Sequence, residues 1–181
     1  MKRVRIINNS NLLKKRMMFS VAEDSYFLTY NIILILGILG CVQEKYLKDI
    51  KKISLLITIL EKYENQEVIK KILTNKNISP RDRNCLFDMY YNSELRLRSI
   101  TSIIFTLEKK GIINVERSGR TLNLSLVNNN IYIKFVENEL FEDDIKIYNF
   151  IFGQVKRFRT IVAESFEKRI FEIIREEVWD I

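Results

Sequence analysis

The sequence predicts a mostly helical α+β fold with one β-hairpin and a long helix at its C-terminal end. Three observations predict it. There are 1 Pro and 5 Gly in 181 residues, so long regular elements dominate over tight turns. Apolar residues recur at steps of three and four through most of the chain, the period of an amphipathic helix. Only between about 112 and 137 does the period switch to two, the mark of half-buried strands.

Composition bounds the function. Hydrophobic residues make up 47%, enough for a core, and the length suits one compact domain or a small domain with a helical extension. The net charge is +7, but Lys2, Arg3, Arg5, Lys14, Lys15 and Arg16 stand in residues 1–20 without an acid, which leaves a body close to neutral. The chain therefore carries a basic arm rather than a basic domain. There is no His. That removes the commonest general base, the Ser-His and Cys-His nucleophile pairs, and most zinc sites. The cysteines, Cys41 and Cys85, lack CxxC spacing, which argues against a disulfide framework and for a reduced compartment. The glycines at 37, 40, 111, 119 and 153 form no phosphate-binding loop. No catalytic, cofactor-binding or metal-ligating set emerges.

Residues 25–43, SYFLTYNIILILGILGCVQ, carry no charge. The strictly apolar part, Ile32 to Val42, is shorter than the ~20 residues a spanning helix needs. A buried central helix is the reading preferred over a membrane anchor, and CVQEKYLKD offers no signal-peptide cleavage site. A second helix is expected over 46–63, where Tyr46, Ile50, Ile53, Ile57 and Leu60 step by four and three. A short one follows at 65–73. Ser79-Pro80-Arg81-Asp82 reads as a helix start, with Ser79 as cap, Pro80 in the first turn and Asp82 reaching back to the cap. This helix is expected to end near Tyr91, with Asn92-Ser93 restarting the chain into a helix over 94–110 that Gly111 stops.

IINVE, RSGR and TLNLSLV then read as two strands about a Gly turn, and IYIKFVE at 131–137 as a third. From Asp144 to Trp179 the chain can be helical nearly throughout, with Gly153 as a possible break. Ile151, Val155, Phe158, Val162, Phe166, Ile170 and Ile173 form one stripe. Thirty-six residues would reach ~54 Å, long for a small domain, so Phe158, Phe166 and the adjoining Phe171 are either core or partner-binding anchors. Glu142-Asp143-Asp144 suits the helix dipole better than a metal.

Two helices followed by a hairpin is the order of a winged helix-turn-helix. The organisation is then a basic arm at 1–20, a winged-helix domain at 21–140 and a helical extension at 141–181. Arg98, Ser99, Ser102, Thr106 and Lys109 fall on the outer face of the second helix, and Arg117 and Arg120 on the wing tip. Such residues contact DNA in a reading module; otherwise they form a solvated or protein-binding face. The arm can bind phosphate nonspecifically or remain a solvated tail.

The apolar YFLTYNIILILGIL, then DIKKISLLITIL, then LRLRSITSIIFTLEKKGII with NVERSGRTLNLSLV, and NFIFG before the C-terminal helix, together resemble the middle component of three-component ABC systems. These are small winged-helix subunits encoded beside an SMC- or Rad50-like ATPase in bacterial anti-phage and anti-plasmid defence, including Lamassu-type systems. The resemblance covers most of the chain as an order of elements. It implies a non-catalytic cytoplasmic subunit, without cofactor, that binds the ATPase and helps control an effector nuclease. A winged-helix transcriptional regulator and a membrane-anchored adaptor are the alternatives.

Overall fold

The computed structural model describes residues 25–137 and 139–178. In chain order they form α1 (Ser25–Ile38), α2 (Lys51–Glu61), α3 (Tyr63–Leu73), α4 (Pro80–Lys109), β1 (Ile113–Ser118), β2 (Thr121–Leu126), α5 (Asn130–Val136), a 3-10 turn (Glu139–Phe141), α6 (Glu142–Gln154) and α7 (Ala163–Val178). The fold is mostly helical with one antiparallel hairpin, as expected. The basic arm and Trp179 lie outside the described residues.

α1 is the centre. From Phe27 to Gly37 every residue except Thr29 is buried, and α2, α4, α5, α6 and β2 pack around it. A helix with no polar face needs cover on all sides, and the rest of the chain supplies it. No described helix is long and apolar enough to cross a membrane. α1 stops at Ile38 rather than 43. Gly40 adopts φ 61, and the N–H groups of Gly40 and Cys41 turn back to the carbonyls of Gly37 and Leu36. This left-handed closure is one that glycine enters without strain.

The chain then runs along the free edge of β2. Val42 and Leu47 bridge to Leu126 and Leu124, so residues 46–50, expected to be helical, are not. The helix begins only at Lys51. β1 and β2 pair from Ile113↔Leu126 to Ser118↔Thr121 around Gly119-Arg120, and Gly119 takes φ 62. Leu124 and Leu126 are buried, but so are Asn123 and Ser125. Asn123 Oδ1 accepts from the Asp49 N–H, and Ser125 donates to the Gln43 carbonyl.

The helix start at Ser79 is as the sequence predicts. Ser79 and Asp82 exchange side chain-to-backbone bonds across a complete capping box, with Pro80 in the first turn. The turn expected at Asn92-Ser93 is absent. α4 runs unbroken for 30 residues, about 45 Å. Ser93 Oγ donates to the Tyr90 carbonyl inside the helix, and its own carbonyl accepts from Ser54 Oγ of α2. Ser93 is thus spent on packing α4 against α2 rather than on capping a new helix.

Residues 131–137 are also not a strand. Asn128 Oδ1 accepts from the Asn130 N–H and opens α5, whose Tyr132 lies against Gly37 of α1. Nor is 144–179 one helix. α6 ends at Gln154 and α7 begins at Ala163, and Gly153 sits inside α6 rather than at the break. Glu142, Asp143 and Asp144 do occupy the first turn of α6. Phe141, Tyr148, Ile151, Phe166 and Ile170 share one core with α1, and Tyr148 donates to Asn31 of α1 at 2.6 Å.

Candidate interaction surface and the junction behind it

Ionisable side chains with the strongest environments hold the fold together. Lys52, on the first turn of α2, is 1% exposed. Its Nζ donates to the carbonyls of Phe158, Arg159 and Ile161 at 2.7, 3.3 and 2.7 Å and lies 5.0 Å from the Phe158 ring centre. Burial pulls its pKa down to about 7, against the opposing pull of Asp49. Asp49, at φ 68, accepts from the Lys51 N–H through Oδ1 and from the Ala163 N–H through Oδ2, both at 3.1 Å. One carboxylate thus caps the N-termini of both α2 and α7. The junction draws α2, β2 and the 155–162 turn together, and nothing in the local pattern of the sequence announces it.

The cysteines are buried. Burial pushes the Cys41 thiol up to about 12, far from the thiolate a nucleophile requires. Cys85 donates to Asn65 Oδ1 at 3.1 Å, and burial raises its pKa too. Among the described residues no three His, Cys, Asp or Glu side chains group to hold a metal.

The residues expected to anchor a partner are internal. Phe158, Phe166 and Phe171 are 3%, 0% and 1% exposed. Phe158 meets Phe152 and Phe166, and Phe171 meets Tyr90 of α4. Phe166 lies eight residues after Phe158 and Phe171 five after that, and Phe158 sits in the turn between α6 and α7, so the three do not line one outward face. In this structure they are the chain's own core and not a docking stripe.

The outward face is on α4. Phe87, Tyr91 and Leu95 are 39%, 64% and 60% exposed, at steps of four. Arg98, Ser102, Thr106 and Lys109 continue the same stripe and are exposed. The helix thus presents an aromatic and aliphatic half followed by a polar, cationic half. A continuous α4 is what aligns them; a turn at 92–93 would have set the halves at an angle. Arg98 and Lys109 make no ion pair among the described residues, in contrast to Arg96, which pairs with Glu61 of α2. Arg117 and Arg120 are exposed on the hairpin, which follows α4 through the left-handed Gly111. Arg98, Arg117 and Arg120 are therefore all accessible. Lys2, Arg3, Arg5, Lys14, Lys15 and Arg16 fall outside the described residues.

No family model, curated protein or solved structure matches this chain.

Proposed function

We propose that this chain is a non-catalytic subunit of a larger assembly, and that the outward stripe of α4 is a surface through which it assembles. The observation that carries the reading is Phe87, Tyr91 and Leu95, large apolar side chains left uncovered in line on one helix, where Tyr26, Tyr63 and Ile133 are exposed singly on other elements. Exposed apolar surface of this kind marks an interaction site. The resemblance to the middle component of three-component ABC systems names the partner class, an SMC-like ATPase of a bacterial anti-phage or anti-plasmid defence complex, with an effector nuclease under joint control. In this reading the hairpin after α4 is the wing of a winged helix. The edge segment 41–50 beside β2 agrees with that arrangement. The test is co-expression with a coiled-coil ATPase encoded next to this gene. Co-purification is expected, and Tyr91→Asp with Leu95→Asp is expected to abolish it while leaving the circular dichroism spectrum unchanged. Full recovery of the ATPase on the double variant would refute the assignment of the surface.

A second reading is supported by the other half of the stripe. Arg98, Ser102, Thr106 and Lys109 provide donors on a helix face, and Arg117 and Arg120 provide two more cations on the hairpin. A winged-helix DNA-binding regulator would use these residues. Titration of a labelled duplex, with Arg98→Ala and Arg120→Ala as controls, separates it from the first reading.

A further inference from the structure

We propose that a second copy of this chain occupies the middle of the α4 stripe, so that the protein is a two-fold dimer centred on Tyr91 and Leu95. The proposal rests on the reading that this stripe is an assembly surface; it places the second copy on Tyr91 and Leu95, and the ATPase engages the dimer so formed.

The argument is self-complementarity. A two-fold interface brings one patch against itself, so each residue meets the residue equally far from the axis on the other side. If two α4 helices lie antiparallel with the axis at the level of Ser93, Tyr91 of one copy comes level with Leu95 of the other. Asp88 then comes level with Arg98, five positions out in each direction, or ~7.5 Å along the helix. Both are exposed, and neither makes an ion pair among the described residues. Asn84 comes level with Ser102 beyond them. Along α4 from Pro80 to Thr106, this register sets no like charges level with each other. Arg83 faces Ile103, Glu94 faces Asn92, and Arg96 faces Tyr90 while committed to Glu61. An apolar centre flanked at each end by one opposite-charge pair is what an antiparallel helix pair requires for affinity and register. The interior side of α4 is already taken by α1, α2, α3, α7 and β1, which leaves this face of α4 open to a second copy.

The test is the mass of the full chain by sedimentation equilibrium from about 1 to about 100 µM, a range that populates a dimer of micromolar Kd. A concentration-dependent dimer is expected, and Tyr91→Asp is expected to be monomeric with an unchanged circular dichroism spectrum. Asp88→Arg alone and Arg98→Asp alone each set like charges level at both ends and should weaken the dimer at least about tenfold. The Asp88→Arg, Arg98→Asp double variant exchanges the two signs and should recover the wild-type Kd. A chain monomeric at the upper concentration overturns the proposal, as does a dimer indifferent to Tyr91→Asp or a double variant no better than the singles. The proposed function fails separately. A monomer that co-purifies with the ATPase through Tyr91 removes the dimer and keeps the subunit reading. A Tyr91→Asp monomer that still co-purifies keeps the dimer and moves the ATPase contact elsewhere.

Discussion

Lys52 Nζ donates to the carbonyl of Ile161 at 2.7 Å across 109 positions of sequence. The same ammonium reaches the carbonyls of Phe158 and Arg159. The Arg159 carbonyl also accepts from the Lys48 N–H, but those of Phe158 and Ile161, in a turn that has left helical geometry, have Lys52 as their donor, and each orphaned polar group would cost about 1–3 kcal/mol. The lysine thus fixes where the C-terminal segment breaks.

Replacing Lys52 by Met tests that role. The variant removes a buried amine, which favours it, but leaves the Phe158 and Ile161 carbonyls without the donor, which costs more. A net loss of about 2–4 kcal/mol in urea unfolding is expected. The pH profile distinguishes this from simple loss of packing. With Lys52 near pH 7 in the folded chain and at its ordinary 10.5 unfolded, the unfolded chain holds the extra proton between those values, so stability rises with pH there. Cys41 acts oppositely above pH 9, since its ordinary 9.0 is pushed to about 12 on folding and the unfolded thiol ionises first. Stability should therefore climb from pH 7 to 9 and flatten beyond. Lys52→Met should show no climb; a wild-type profile flat across pH 7 to 9 would contradict the assignment.

Asp49 serves two helices at once, so its loss should be felt at two places far apart in sequence. Asp49→Ala removes the acceptor for the Lys51 and Ala163 amides. A loss of roughly 1–3 kcal/mol is expected. Hydrogen exchange should accelerate in the first turns of α2 and α7 together. Acceleration confined to α2 would show that Ala163 does not depend on Asp49.

Gly37 is required by a neighbour rather than by its own backbone. A Cβ there would lie 2.0 Å from Tyr132 Cδ2, a distance that forces the ring of α5 off α1. Gly37→Ala should cost about 1–3 kcal/mol despite alanine's better helix propensity. In a Tyr132→Leu background the same change should cost much less. An equal penalty in both backgrounds would place the strain elsewhere.

What the sequence made legible was local. The capping box at Ser79 and Asp82, the stop at Gly111 and the Gly119 hairpin turn each rest on residues within a few positions of one another. Gly40 carried the same kind of signal inside an apolar run that hid it. The unbroken α4 and the 155–162 turn were not legible, because Ser93 and Phe158 are decided by Ser54 and Lys52, partners far off in the chain. The stripe from Ile151 to Ile173 kept helical spacing while its middle became a buried turn, since a core accepts apolar residues from either. The stripe Phe87, Tyr91 and Leu95 was missed for a related reason. A helix taken to end near Tyr91 separates Leu95 from the residues it lines up with.

The remaining question is which cations meet nucleic acid, and it can be answered by salt dependence. Residues 1–20 hold six bases without an acid, whereas the rest of the chain is close to neutral. Binding that comes from the arm should be indifferent to duplex sequence and should fall with salt at about 0.9 log units per phosphate neutralised. Deleting residues 1–16 is expected to remove it and to leave the circular dichroism spectrum of the fold unchanged. Changing Arg98, Arg117 and Arg120 together to Ala should then leave duplex affinity within about threefold. The opposite pattern, with affinity kept on deletion and lost in the triple variant, would assign nucleic-acid contact to α4 and the hairpin. The cationic half of the stripe would then be the reader, and Tyr91 and Leu95 would space two such readers along the duplex.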